Sequence, residues 1–115
     1  MEPREIAKLA ARALDSKKAK DIRILGVTEL TVLADFFVIA TGTSSTHLRT
    51  LTDEVEFELK KKGEMPGHTE GRDSGNWLLL DYGAVIVHIF LEDTRSFYSL
   101  EHIWSDAKPW QESEL

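Results

Sequence analysis

A chain of 115 residues, 42% of them apolar and 30% charged, has room for one hydrophobic core and not for two. It has no cysteine, which excludes disulfides, thiol nucleophiles and Cys-ligated metal, and no apolar run near the ~18 residues that span a bilayer. A net charge of −6 argues against holding nucleic acid by phosphates alone and for a basic protein or a small ligand as partner.

The opening residues, Met1-Glu2-Pro3-Arg4-Glu5, lack the basic-then-apolar pattern of a secretory leader, so a cytoplasmic protein is expected. Residues 3–14 read as an amphipathic helix. Pro3 suits its first turn, and Ile6, Leu9, Ala10, Ala13 and Leu14 form one apolar stripe. Lys17, Lys18 and Lys20 follow; solvated cations near a helix C-terminus are the favoured reading, with a basic nucleic-acid contact as the alternative. Residues 22–27 are short and β-branched. Residues 36–40 form an unbroken apolar run of strand length, which implies a strand covered on both faces. Gly42-Thr43-Ser44-Ser45 opens a second helix striped by Leu48, Leu51, Val55 and Leu59, with Ser44 or Ser45 as cap and Gly63 as its left-handed terminator.

Residues 63–75 read as a loop, with a short strand near Thr69. Two strands, 77–82 and 84–91, then form a tight hairpin around Tyr82-Gly83. A last helix runs from about Thr94 to Trp104, with Phe97, Leu100, Ile103 and Trp104 at helical spacing. Pro109 blocks its continuation and the end of the chain reads as frayed. The order α-β-β-α-(β)-β-β-α predicts an α+β domain with a mixed sheet of four to five strands flanked by helices. The domain is expected to occupy residues 1–107, with 108–115 as a C-terminal tail.

Little in the chain points to catalysis. His47, His68, His88 and His102 fall in no short metal-binding spacing, and mid-strand His88 reads as a half-buried, hydrogen-bonded histidine. The Gly42–Ser45 loop lacks the lysine of a phosphate-binding loop and reads as a helix cap. A strand, a Gly-Ser turn and a helix are also what a nucleotidyltransferase uses, but such enzymes need two or three carboxylates on strands to hold Mg²⁺. Here Asp81 stands alone at a strand end, and residues 84–91 contain no carboxylate. No catalytic residue, metal or cofactor is therefore expected. Aromatic residues crowd the second half instead. Strand alternation puts Trp77, Leu79 and Asp81 on one face and Leu78, Leu80 and Tyr82 on the other. Either both faces are core, or one presents a Trp/Leu patch to a partner.

Four strings in order resemble the ribosomal silencing factor (Iojap) family over about residues 4–107. They are the run from Ala34 to His47, Glu70-Gly71 followed by Trp77, the run from Asp81 to Phe90, and the run from Arg95 to Trp104. The sequence departs from the family pattern at Ala84, where an acidic residue is usual, which counts further against a metal site. The resemblance implies a nucleotidyltransferase-like fold without catalysis. It implies binding to the large ribosomal subunit at the ribosomal protein numbered fourteen, so that the small subunit cannot join and translation is repressed. It also implies a homodimer when free, and neither membrane nor direct DNA binding. On this view the contact residues are Trp77, Leu79 and Asp81 first, then His88 and Arg95. Two other classes compete: a nucleotidyltransferase-like nucleotide-binding module or enzyme, and a dimeric assembly factor with another partner.

Overall fold

The computed structural model describes residues 1–28, 34–93 and 108–115. In chain order the elements are helix α1 (Pro3–Ser16), strands β1 (Lys20–Gly26) and β2 (Phe36–Gly42), helix α2 (Ser45–Lys60), strands β3 (His68–Glu70), β4 (Trp77–Asp81), β5 (Val85–Leu91) and β6 (Lys108–Trp110), and a 3₁₀ turn (Glu112–Glu114). The expected helix from Thr94 to Trp104, and Arg95 with it, lie outside the described residues. The strands form one six-stranded mixed sheet, ordered β3-β4-β5-β2-β1-β6. The β2–β5 pair is parallel and the others are antiparallel.

Central β2 is buried at all seven positions, as its unbroken apolar run requires. Its alternate residues feed two cores. Phe36, Val38 and Ala40 join Leu78, Leu80, Val85, Val87 and Ile89 beneath both described helices. Ile6, Ala10 and Leu14 of α1 and Leu48, Leu51, Val55 and Leu59 of α2 close this layer. On the opposite face Phe37 and Ile39 cluster with Leu25, Val27, Ala34 and Phe90. Both described helices thus lie on one side of the sheet.

Helix ends follow the local chemistry. Ser44, not Ser45, caps α2, its hydroxyl accepting from His47 N–H at 3.0 Å. The far end closes in a Schellman motif: Glu64 N–H donates to Leu59 O and Gly63 N–H to Lys60 O, both at 2.9 Å, with Gly63 at φ +84°. Helix α1 closes the same way. Ala19 N–H donates to Leu14 O and Lys18 N–H to Asp15 O, both at 3.0 Å. The left-handed position is taken by Lys18 at φ +64°, where a side chain is strained. Lys18→Gly is expected to stabilise the fold by about 0.5–1 kcal/mol, net of the extra chain entropy of glycine. Chemical denaturation checks this, and a less stable variant would contradict it.

Three details differ from the sequence reading. Strand β1 starts at Lys20 and carries a bulge between Lys20 and Arg23, with Asp21 at φ +51°. The hairpin turn is centred on Gly83 and Ala84, not on Tyr82 and Gly83. Tyr82 N–H donates to Val85 O at 2.9 Å, and Gly83 at φ +86° takes the position that demands glycine. A sixth strand also exists. The segment expected as a tail pairs with β1, Ile24 opposite Trp110 and Gly26 opposite Lys108. Trp110 packs on the helix-side core and meets Phe36 edge-on at 5.7 Å between centroids. Arg4 and Lys108 each place a cation over its ring, at 4.8 and 4.4 Å. Gly26 leaves room for the indole, since a Cβ there would lie 2.5 Å from Trp110 Nε1.

Candidate partner interface

The β4–β5 register assembles the candidate face. Trp77 lies opposite Phe90, Leu79 opposite His88, and Asp81 opposite Ile86. Residues directly opposite share a face, so Trp77, Leu79, Asp81 and His88 meet on the side away from α1 and α2. Along β4 the odd positions Trp77, Leu79 and Asp81 are half-buried, while Leu78 and Leu80 between them are buried. Alternation in the sequence therefore assigned the two faces of β4 correctly.

The aromatic side chains interlock. Trp77 stacks with Phe90 at 6.4 Å, Phe90 with His88 at 6.1 Å, and Phe37 meets His88 edge-on at 5.1 Å. Phe37 and Phe90 were not among the expected contact residues. They underlie the face rather than line it, and only the cross-strand register reveals the connection. A loop fixes the start of β4. Gly71 at φ +82° runs so close beneath Trp77 that a Cβ would sit 2.2 Å from the Trp77 carbonyl oxygen. Ser74 Oγ accepts from Trp77 N–H at 3.2 Å and lies 2.8 Å from Trp77 O. The indole thus projects from a braced backbone, a suitable mounting for an anchor residue.

His88 differs from its sequence reading. It is buried, with 9% of its surface exposed, and neither ring nitrogen has a hydrogen-bond partner among the described residues. Burial lowers its pKa from 6.5 to about 4, so the imidazole is neutral near pH 7. Asp81 is engaged locally: its Oδ1 accepts from Gly83 N–H at 2.7 Å and braces the hairpin turn. Arg95 falls outside the described residues.

The anion-binding alternative finds its donors in use. Thr43 N–H donates to His47 Nδ1 at 3.0 Å and His47 N–H to Ser44, which occupies groups a phosphate would need. His47 Nε2 in turn donates to Lys17 O at 2.8 Å, tying the start of α2 to the end of α1. Among the described residues no three His, Asp or Glu side chains are grouped so as to hold a metal ion. Tyr82, on the helix-side face, has its hydroxyl buried without a hydrogen-bond partner among the described residues. Desolvation, then the nearby Glu56 carboxylate, raises its pKa. What remains on the candidate face is a half-buried aromatic and aliphatic row with one carboxylate at its end.

Residues 1–115 match the family described as ribosomal silencing factor during starvation. The chain is 40% identical over 109 residues to the ribosomal silencing factor RsfS of Chromobacterium violaceum, covering 95% of this chain and 89% of that one. It is 33% identical over 95 residues to the mouse mitochondrial assembly of ribosomal large subunit protein 1, covering 80% of this chain and 42% of that protein. A crystal structure of a Chromobacterium violaceum protein superposes with a TM-score of 0.88 at 40% identity, covering 96% and 92% of the two chains. The fold, the residues that build it and these relatives agree: the chain belongs to the ribosomal silencing factor family.

Proposed function

We propose that the protein binds the large ribosomal subunit through the Trp77, Leu79, Asp81 face and thereby prevents the small subunit from joining. The docking point is the ribosomal protein numbered fourteen, and His88 and Arg95 complete the contact set. The action is steric: a body 33 × 33 × 25 Å seated on the joining surface excludes a competitor for that surface. No bond is made or broken and no cofactor takes part, so the protein acts as a translation repressor and not as an enzyme. It works in the cytoplasm and is a homodimer when free.

The observation that carries this reading is the half-buried Trp77/Leu79 row on the sheet face away from α1 and α2. Two others support it. The net charge of −6 complements a basic ribosomal protein and speeds encounter. The mouse relative is also named for assembly of the large ribosomal subunit. Sucrose-gradient sedimentation with isolated subunits tests the reading. Comigration with large subunits alone, with fewer joined ribosomes, is the expected result. Binding to neither subunit at low salt would refute it, and a thermal shift with nucleotide and Mg²⁺ would then favour a nucleotidyltransferase-like module.

A further inference from the structure

The acidic total hides a polarised chain. Residues 1–23 hold seven of the 14 Lys and Arg residues and only four of the 20 Asp and Glu, a local excess of three cations. Their densest run, Lys17, Lys18 and Lys20, joins α1 to β1. All three side chains are exposed. Neither Lys17 nor Lys18 is ion-paired with a described residue, and Lys20 has one exposed ion pair, with Glu92 at 3.4 Å. Such a pair is weak and exchanges readily for a phosphate.

The backbone here is held in a costly shape. Lys18 and Asp21 are the two non-glycine residues with positive φ among the described residues, and both fall in this segment. A glycine at position 18 would remove the strain, yet a lysine stands there; strain of this kind gathers at functional sites. His47 Nε2 clamps the Lys17 carbonyl at 2.8 Å, and the β1 bulge follows at once. The three cations are thus presented from a fixed loop.

Their position relates to the docking face. Lys20 pairs with Thr41, Thr41 with Phe90, and Phe90 with Trp77, so Lys20 and Trp77 share one row across the sheet. Three strand spacings separate them, about 14 Å.

We propose that Lys17, Lys18 and Lys20 form a phosphate-binding edge that grips the backbone of ribosomal RNA beside the protein docked on the Trp77 face. The proposal rests on the large-subunit reading for its target. RNA fits better than a lipid surface because no exposed large apolar side chain stands among the lysines to enter a bilayer.

The test compares the wild-type chain, a Lys17→Gln/Lys18→Gln/Lys20→Gln variant and Lys18→Gly. Binding to a short fluorescein-labelled RNA hairpin is followed by anisotropy at low salt, with polyglutamate and anionic vesicles as competitors. Binding to large subunits is followed by pelleting across a salt series. The triple variant is expected to bind the hairpin roughly tenfold more weakly, and the slope of its large-subunit log Kd against log salt to fall by about two to three, at roughly 0.7–0.9 per lost phosphate contact. Lys18→Gly should melt higher and still bind RNA more weakly, a combination that a purely structural lysine would not give. Equal hairpin affinity and equal salt slopes for wild type and triple variant would overturn the proposal, as would polyglutamate or vesicles competing as well as unlabelled RNA. Lysine-dependent hairpin binding by a chain that sediments with neither subunit would uphold the RNA edge and refute the large-subunit reading.

Discussion

Trp77→Ala is expected to weaken large-subunit binding by at least about 2 kcal/mol, near thirtyfold in Kd, while leaving the chain folded. The indole is half-buried, so part of its surface is free to be desolvated by a partner. Its inner side stacks on Phe90 at 6.4 Å, and its backbone is braced by Gly71 and Ser74. An aromatic held this way loses little conformational entropy on binding. Truncation should cost the fold less than the ~3–5 kcal/mol of a fully buried tryptophan. Circular dichroism and a denaturation curve establish whether the variant is folded. Should the truncation disturb folding, Leu79→Lys probes the same row from its half-buried neighbour, and the same loss of binding is expected. Full affinity in a folded Trp77→Ala chain would remove this residue from the interface.

Acid should reveal His88. Its folded pKa of about 4 lies below the ordinary 6.5, so the unfolded chain takes up this proton first as the pH falls. Stability contributed by the neutral imidazole is complete above about pH 6.5 and declines from there to about pH 4, below which both states are protonated. A gap of that size is worth about 3 kcal/mol. His88→Phe removes the titration and fills the same space against Phe37 and Phe90. The wild-type chain is therefore expected to lose about 3 kcal/mol more than the variant between pH 7 and pH 4, measured by urea denaturation at a series of pH values. Carboxylates titrate in both chains and cancel in the difference. Parallel stability curves would show that His88 is not the buried neutral group the structure describes.

Much of the fold was legible because it rests on periodicity. The stripe of Leu48, Leu51, Val55 and Leu59 could face a core only as a helix, and Phe36 to Ala40 could be buried throughout only as an inner strand. Alternation along Trp77 to Asp81 separated the candidate face from the helix-side core. Features that depend on contacts distant in sequence were hidden. Pro109 reads as a breaker, yet a proline is admissible on an edge strand, and the pairing of Trp110 with Ile24 depends on a residue 86 positions away. The strained lysine at the end of α1 carried no glycine to signal it. That the His88 ring nitrogens find no partner among the described residues is a property of their surroundings, which strand spacing does not specify.

Both borders of the sheet are three-residue strands, His68–Glu70 at one side and Lys108–Trp110 at the other. A short border offers few main-chain groups to a foreign strand, and Pro109 has no N–H to give. His68 and Glu70 are exposed, with His68 Nε2 3.5 Å from Glu70 Oε1, and Lys108 is exposed as well, so an incoming apolar strand meets polar side chains on both flanks. Growth of the sheet in its own plane, the route to filaments and amyloid, is thereby blocked at both ends. Association must instead proceed through side chains on the broad faces, where shape and charge select the partner. Short, polar borders thus leave the choice of partner, a second copy of the chain included, to the side chains of the faces.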